Sequence, residues 1–199
     1  QGHGCAHHMQ TPAMIGAAMA LRGVLESSDQ PFEIHVIGTP SEESLDGGKN
    51  EMAAHGGFDH IDVAFMVHGS TLTQLETPSL ALIEMDVEFH GKTAHAGIAP
   101  YAGRSAVDAV TMLQTGLGLM RNHLKDSSRV SNIVLAGGTA VNSVPDFAKV
   151  KVEIRHSSMA YLESVEQWTR EIAQAAAMAT QTQVQITPVA HIYNTTIND

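Results

Sequence analysis

The chain has 199 residues, of which 43% are hydrophobic and 16% are charged, so it can bury a core and form one large domain or two small ones. It carries 11 Lys and Arg against 21 Asp and Glu, a net charge of −10, which argues against a nucleic-acid partner. Its apolar runs are too short to span a membrane, and its single cysteine excludes an internal disulfide.

The chain begins at Gln1, with no initiator methionine and no secretory segment. We therefore expect a piece of a longer, cytoplasmic protein that binds neither nucleic acid nor membranes. Twelve histidines are present, and several lie close in sequence to Asp, Glu or Cys. This clustering makes metal-binding sites the first feature to look for.

The first 79 residues show an α/β pattern. Apolar residues spaced four, three and four apart predict a helix over 12–25, capped by Thr11 and with proline at its first position. Alternation over 32–36 and an apolar run over 61–67 predict two strands, the second buried on both faces, with a short helix over 49–55 between them. Strand, helix and strand with short connections indicate a parallel sheet.

A polar linker over 69–79 precedes a different pattern. It predicts strands at 83–89, 130–135, 149–155 and 184–186, and helices at 104–124 and 162–176. The order β-α-β-β-α-β is that of a ferredoxin-like domain, one sheet with two helices on a single face, over residues 80–188. Residues 189–199 are predicted to form a second linker.

The segment from Gly2 to His8 places a thiol and several imidazoles just before a predicted helix. Cys5 and His7 are separated by one residue, and such a soft donor set suits zinc, manganese or cobalt. The alternative is a flexible, His-rich chain end that resembles a tag remnant.

Two further ligand types follow the predicted strands of the first part. Glu42 and Glu43 come after the strand at 32–36, and His68 ends the run at 61–67. The carboxyl ends of parallel strands meet at one sheet edge, where α/β proteins place their sites. One carboxylate could hold a metal while its neighbour handles a proton. A solvated acidic loop and a hydrogen-bonded edge histidine are the plainer interpretations.

A third group lies within residues 80–188. His95 sits in a glycine-flanked turn, Asn142 lies in a second turn, and Arg155 is on the polar face of a strand. These side chains donate hydrogen bonds suited to an oxyanion or a carboxylate. Taken singly, each could be an ordinary turn or surface residue.

Together these motifs resemble the dinuclear metallohydrolases that include aminoacylases, indole-acetyl-amino-acid amidohydrolases and aminobenzoyl-glutamate hydrolases. The matching stretches occur in the family's order and span residues 1–186: His3-Gly4-Cys5-Ala6-His7, Gly38-Thr39-Pro40-Ser41-Glu42-Glu43, Phe65-Met66-Val67-His68, Phe89-His90-Gly91-Lys92-Thr93-Ala94-His95-Ala96, and Gly137-Gly138 with Asn142-Ser143-Val144-Pro145-Asp146.

The resemblance implies a role for each candidate residue. Two divalent ions, zinc, manganese or cobalt, would be bound by four ligands: Cys5, His7, Glu43 and His68. Glu42 would be the general base that activates water, and His95 would stabilise the oxyanion, often from the partner subunit. Asn142 and Arg155 would contact the substrate, Arg155 through its free carboxylate.

The resemblance also implies an architecture. Residues 1–79 would be part of a zinc-peptidase-like catalytic domain, 80–188 an inserted lid and dimerisation domain, and 189–199 the return linker. Hinge motion at 69–79 and 188–195 would close the lid. The implied activity is hydrolysis of the amide bond of N-acyl amino acids or dipeptides by a homodimer. The alternative is a truncated, inactive metal-binding or dimerisation module of the same fold.

Two departures from the family pattern stand out. The family usually has Cys-Gly-His followed by Asp or Asn, whereas this chain has Cys5-Ala6-His7-His8. The family also takes one further histidine ligand from sequence beyond the lid. We therefore expect an altered metal environment and a site that this stretch of sequence does not complete.

Overall fold

The structure, a computed structural model, describes residues 4–43, 47–75 and 78–195. The chain divides into two units, one comprising Gln1–Ser44 and Gly48–Glu76 and the other Leu45–Gly47 and Thr77–Asp199. The described part of the first unit contains helices α1 (His7–Leu25) and α2 (Gly48–Ala54) and no strand. In the described residues, no helix is long and apolar enough to cross a membrane.

The second unit is built on one antiparallel sheet. Its elements follow in the order β1 (Ala81–His90), α3 (Ala106–Met120), β2 (Arg129–Gly137), β3 (Phe147–His156), α4 (Met159–Thr180) and β4 (Gln183–Ile192). The strands lie side by side as β2-β3-β1-β4. This confirms the predicted ferredoxin-like β-α-β-β-α-β domain.

Serine caps begin both helices of this unit. Ser105 accepts a hydrogen bond from the Asp108 amide at the start of α3, and Ser158 does the same for the Tyr161 amide of α4. The predicted helix over 104–124 is shorter in the structure, because a 3₁₀ turn over Arg121–His123 follows α3.

A single hydrophobic core lies between the sheet and the two helices. The inward residues of β1 and β3 alternate with outward polar ones, and they pack against one face of α3 and of α4. The largest fully buried side chains are Phe89, Ile83, Met85, Leu113, Leu117, Met120, Ile154 and Leu162. Both helices therefore cover a single face, as predicted.

The opposite face of the sheet carries charges that are only partly exposed. Glu84 is 7% exposed and accepts a 2.7 Å hydrogen bond from Lys151, while Lys149 bonds Asp86 at 2.7 Å and Glu88 at 2.9 Å. The side chain of Glu84 is therefore buried although it lies on the polar face of β1, because Lys151 of the neighbouring strand covers and neutralises it.

Strand β4 continues past Pro188 to Ile192, so residues 188–192 belong to the sheet and are not a linker. Pro188 lies opposite Met85, at a register shift between Glu84 and Met85. A proline can be accommodated there because β4 is an edge strand, where one missing amide donor leaves the ladder intact.

The two strands predicted in the first unit do not form. Residues 32–36 and 61–67 belong to no strand, and the side chains of Phe32, Val36 and Phe65 are 41%, 56% and 78% exposed. The predicted parallel sheet, and burial of 61–67 on both faces, are therefore wrong. An apolar run does not by itself form a strand, because a strand also requires backbone hydrogen bonds to a neighbouring strand.

The helix predicted over 12–25 forms but begins five residues earlier. Helix α1 starts at His7 after Ala6, whose left-handed φ of 59° ends the preceding turn, and Thr11 is not its cap. Pro12 lies inside the helix, where it removes one intrahelical hydrogen bond. The short helix predicted over 49–55 is confirmed as α2.

Candidate metal centre

The first unit brings together five residues from three separate stretches of sequence. Cys5 and His7 flank Ala6 at the start of α1, Glu42 and Glu43 lie in a turn after the irregular stretch over 32–40, and His68 follows the irregular stretch over 61–67. His3, which also belongs to the first motif, lies outside the described residues. The predicted convergence of these stretches occurs even though no sheet aligns them.

Cys5, His7 and His68 form one candidate ligand group. The Cys5 Sγ lies 3.4 Å from the His68 Nε2, and the rings of His7 and His68 meet edge to face with centroids 5.4 Å apart. In this group one donor atom from each residue lies within 4.8 Å of the others.

His7, Glu42 and Glu43 form a second group that shares His7 with the first. The His7 Nε2 lies 3.5 Å from a Glu42 oxygen, and its Nδ1 lies 3.4 Å from a Glu43 oxygen. The His7 side chain is half-buried and both carboxylates are exposed. The two groups thus form one continuous set of sulfur, nitrogen and oxygen donors.

A backbone carbonyl orients the ring of His68. The Gly69 oxygen lies 2.8 Å from the His68 Nδ1, and because a carbonyl can only accept, Nδ1 donates. In the neutral ring, the Nε2 lone pair then faces Cys5. Ligating histidines are commonly held in this way. The sequence analysis did not predict the hydrogen bond from His68 to Gly69, because its acceptor is a backbone carbonyl, which every residue has.

The charges around Cys5 fit a cation. Loss of solvent around the thiol is the largest cause that raises the pKa of Cys5. The neighbouring carboxylates of Glu43 and then Glu42 raise it further. A divalent cation would reverse this effect, because it favours the thiolate and balances both carboxylates. One sulfur, two imidazoles and two carboxylates therefore suit a zinc, manganese or cobalt ion.

In the second unit, two adjoining loops hold His95 and Asn142. His95 pairs with Ser143 in an isolated antiparallel bridge, and the Ala96 amide donates to the Asn142 carbonyl at 2.9 Å. The Gly97 amide donates to the His95 Nδ1 at 3.2 Å. In the neutral ring, the proton therefore lies on Nε2, which can donate to a substrate oxygen. Both side chains are exposed.

Arg155 lies at the other end of the same sheet. Its Nε and one terminal nitrogen bond both oxygens of Glu153, at 2.7 and 3.0 Å, and this pairing raises the pKa of Arg155. Strand β3 separates Arg155 from Phe147 by eight residues, about 26 Å at 3.3 Å each. The structure therefore does not bring Arg155 near His95 and Asn142 within one chain.

Comparisons with known proteins identify the family of the chain. The family model "Peptidase dimerisation domain" matches residues 81–181. The chain belongs to the M20 peptidase/amidohydrolase family.

The chain is similar to mouse Xaa-Arg dipeptidase, with 34% identity over 96% of this chain and 45% of that protein. It is also 34% identical to a p-aminobenzoyl-glutamate hydrolase polypeptide of Escherichia coli K12, over 92% of this chain and 38% of that protein. The aminobenzoyl-glutamate utilization protein from Klebsiella pneumoniae matches 60% of this chain and 30% of its own, with a TM-score of 0.56 and 30% identity. The chain thus spans less than half the length of these relatives.

Proposed function

We propose that this chain is the metal-binding and lid part of a hydrolase that cleaves the amide bond of N-acyl amino acids or dipeptides. The observation that carries the proposal is the convergence of five candidate residues, which the sequence keeps apart, in one donor set. Cys5, His7, Glu43 and His68 would hold two divalent ions, which polarise the scissile carbonyl and make water acidic when bound. Peptidases of this family are generally dependent on divalent metals.

Glu42 is the general base. Its carboxylate lies 3.5 Å from the His7 Nε2 and is 47% exposed, so it can reach both a water molecule and the substrate. It takes a proton from the attacking water and passes it to the leaving nitrogen as the amide bond breaks. General bases of this kind contribute roughly 10²–10⁴ in rate.

His95 stabilises the charge that develops on the substrate carbonyl oxygen. Its Nδ1 is occupied by the Gly97 amide, which leaves the Nε2–H as the donor. Asn142, paired with the same loop, offers a carboxamide to the substrate. Both side chains are exposed, as residues that meet a substrate must be.

The length of β3 supports the proposal that these residues serve two different sites of a homodimer. A small substrate cannot touch Asn142 and Arg155 of one chain, because about 26 Å of strand lies between them. Arg155 lies beside Leu82, near the end of the sheet where the chain enters and leaves the lid. On this proposal, Arg155 binds the substrate carboxylate at one site of the homodimer, and His95 and Asn142 contribute to the other.

The β2 edge is the surface through which two lids pair. Its residues Ile133, Val134 and Leu135 are 59%, 45% and 50% exposed, whereas the other edge strand, β4, contains Pro188. Val134→Lys will shift the chain from dimer to monomer in light scattering, and Val189→Lys on β4 will not. A dimer that survives Val134→Lys would place the interface elsewhere.

The experiment that tests the function compares two acidic residues of the first unit. Glu42→Gln will lose at least about 99% of the hydrolysis of N-acyl amino acids while keeping its metal content, because only the base is removed. Glu51→Gln, whose side chain is 73% exposed, is the matched control and will keep activity. Full activity in Glu42→Gln would remove Glu42 from this role.

The second candidate function is an inactive metal-binding or dimerisation module, and it is supported by the match of the dimerisation-domain family model to residues 81–181. That module binds metal or forms dimers without turnover. Metal content measured alongside hydrolysis of N-acyl amino acids separates the two functions.

A further inference from the structure

Two histidines of the first unit meet outside the candidate metal centre. His35 lies in the irregular stretch over 32–40, and His60 ends the turn that follows α2. Their rings lie edge to face, with centroids 4.9 Å apart and planes inclined at 69°. Neither histidine belongs to the two candidate ligand groups described above, so the pair is a separate cluster of metal-ligating side chains.

Both rings have nitrogen lone pairs available to a metal. The His35 Nε2 lies 3.0 Å from a Glu33 oxygen, and because an ionised carboxylate can only accept, Nε2 donates. In the neutral ring, the lone pair is then on Nδ1. Among the described residues, the ring nitrogens of His60 have no hydrogen-bond partner. A carboxylate that holds one nitrogen of a histidine commonly leaves the other nitrogen facing a metal.

The spacing and the charge around the pair suit a cation. Bonds of about 2.0–2.1 Å to one metal hold two ligating nitrogens at most about 4.2 Å apart, a separation that these rings can reach by rotation about their side-chain bonds. Residues 23–48 and 50–76 contain no lysine or arginine, whereas Glu33, Asp59 and Asp62 each lie within two residues of one of the histidines. No positive side chain of these stretches therefore competes with a metal ion.

We infer that His35 and His60 bind one nickel or copper ion, which ties together two stretches of the first unit. Two imidazole nitrogens, with water oxygens in the remaining positions, form the nitrogen and oxygen environment that these ions prefer. His35 lies seven residues before Glu42, and His60 lies eight residues before His68. The described parts of these stretches form no strand, so the ion supplies a link that a ladder of backbone hydrogen bonds would otherwise provide.

This site differs from the candidate metal centre in its donors and therefore in its metal. It offers imidazoles and no sulfur, and Glu33 orients one of its rings. Manganese and cobalt bind such donors more weakly than nickel does, and zinc binds them more weakly than copper does. Because only two side chains hold the ion, dialysis removes these weaker metals from the pair. The site does not depend on the proposed hydrolysis.

The test titrates nickel chloride into the full chain by calorimetry. Every protein carries His7→Ala, so that the candidate metal centre is altered alike in all of them. The chain with this change alone will bind nickel. Adding His35→Gln or His60→Gln will weaken binding by about 100-fold or more, and adding Glu33→Gln will weaken it by about 10–100-fold, because that change removes only the group that orients His35.

His55→Gln is the matched control, because His55 is an exposed histidine of the same unit, and it will keep the nickel affinity. Amide hydrogen exchange gives a second readout. Nickel will slow exchange over 32–36 and 61–67 in the chain that keeps both histidines, and it will not do so after His60→Gln. Absence of nickel binding, equal affinity in the His60→Gln and His55→Gln chains, or exchange that nickel leaves unchanged would overturn the inference.

Discussion

The two units of this chain differ in burial, and only the first contains the candidate metal ligands among the described residues. Among the described residues, every buried hydrophobic side chain lies between Ala81 and Ala190, in the second unit. All five candidate metal-site residues lie in the first unit, where apolar side chains of α1 and of the irregular stretches are exposed. The second unit, the proposed lid, thus has a closed hydrophobic core of its own, whereas the candidate metal centre lies on segments that have no such core among the described residues.

Charge follows the same division. Residues 1–76 hold two Lys and Arg and ten Asp and Glu, whereas residues 77–199 hold nine and eleven. Most of the net charge of −10 therefore lies with the candidate metal centre. A cation is attracted to this region before it meets any ligand, and the lid is nearly balanced.

The largest expected effect comes from truncating one phenylalanine in each unit. Phe89 is fully buried and Phe65 is 78% exposed. Phe89→Ala will lower the free energy of unfolding by about 3–5 kcal/mol, because it opens a cavity in the lid core. Phe65→Ala will change it by less than about 0.5 kcal/mol. Urea denaturation measures both, and a comparable loss in the two variants would mean that Phe65 is covered in solution.

A smaller effect is expected from the charged face of the lid sheet. Lys151→Met removes the partner of the buried Glu84 and will destabilise the lid by about 1 kcal/mol at neutral pH. The hydrogen bond to Glu84, outweighing the opposing effect of burial, raises the pKa of Lys151. The folded state thus binds this proton more tightly than the unfolded state.

That linkage gives the pH dependence a sign. The contribution of Lys151 is fully present below the ordinary lysine pKa of about 10.4, and it is lost as pH rises through the raised folded value. The free energy of unfolding, measured between about pH 8 and pH 11, will therefore fall less steeply with rising pH in Lys151→Met than in the unmodified chain. Hydrogen bonds to Asp86 and Glu88 also raise the pKa of Lys149, so part of the pH dependence of the unfolding free energy will remain in Lys151→Met. Identical slopes would contradict the assignment.

The smallest effect concerns the start of α1. Ala6 adopts a left-handed φ of 59°, which is unfavourable for any residue with a β-carbon. Ala6→Gly relieves that strain but makes the unfolded chain more flexible. The net stabilisation of the start of α1 will be about 0.5–1 kcal/mol. Amide hydrogen exchange along α1 measures it, and faster exchange in the glycine variant would show that Ala6 is not strained.

Most of the lid could be predicted from sequence because its periodic strands and helices find their partners within residues 80–192. The alternation in β1 and the helical spacing in α3 each identify the buried face of the element. Both of these faces pack against other elements of the second unit. The stretches over 32–36 and 61–67 have equally strong patterns, but apolar spacing cannot reveal whether a neighbouring strand is there.

The candidate site was predicted residue by residue, yet its geometry was not. Nothing in the sequence marks the left-handed Ala6, apart from the glycine that the family usually has there, or the carbonyl that orients His68. The separation of Arg155 from Asn142 follows from strand length and could have been calculated from the predicted strand over 149–155.

The central claim is that the first unit binds metal through His7, the residue shared by both donor groups. The most direct measurement is metal per chain by mass spectrometry, after incubation with zinc, manganese or cobalt and dialysis. The unmodified chain and His55→Ala, an exposed histidine of the same unit, will retain metal, and His7→Ala will lose it. A chain that retains none of the three metals, or equal metal in all three proteins, would contradict the account.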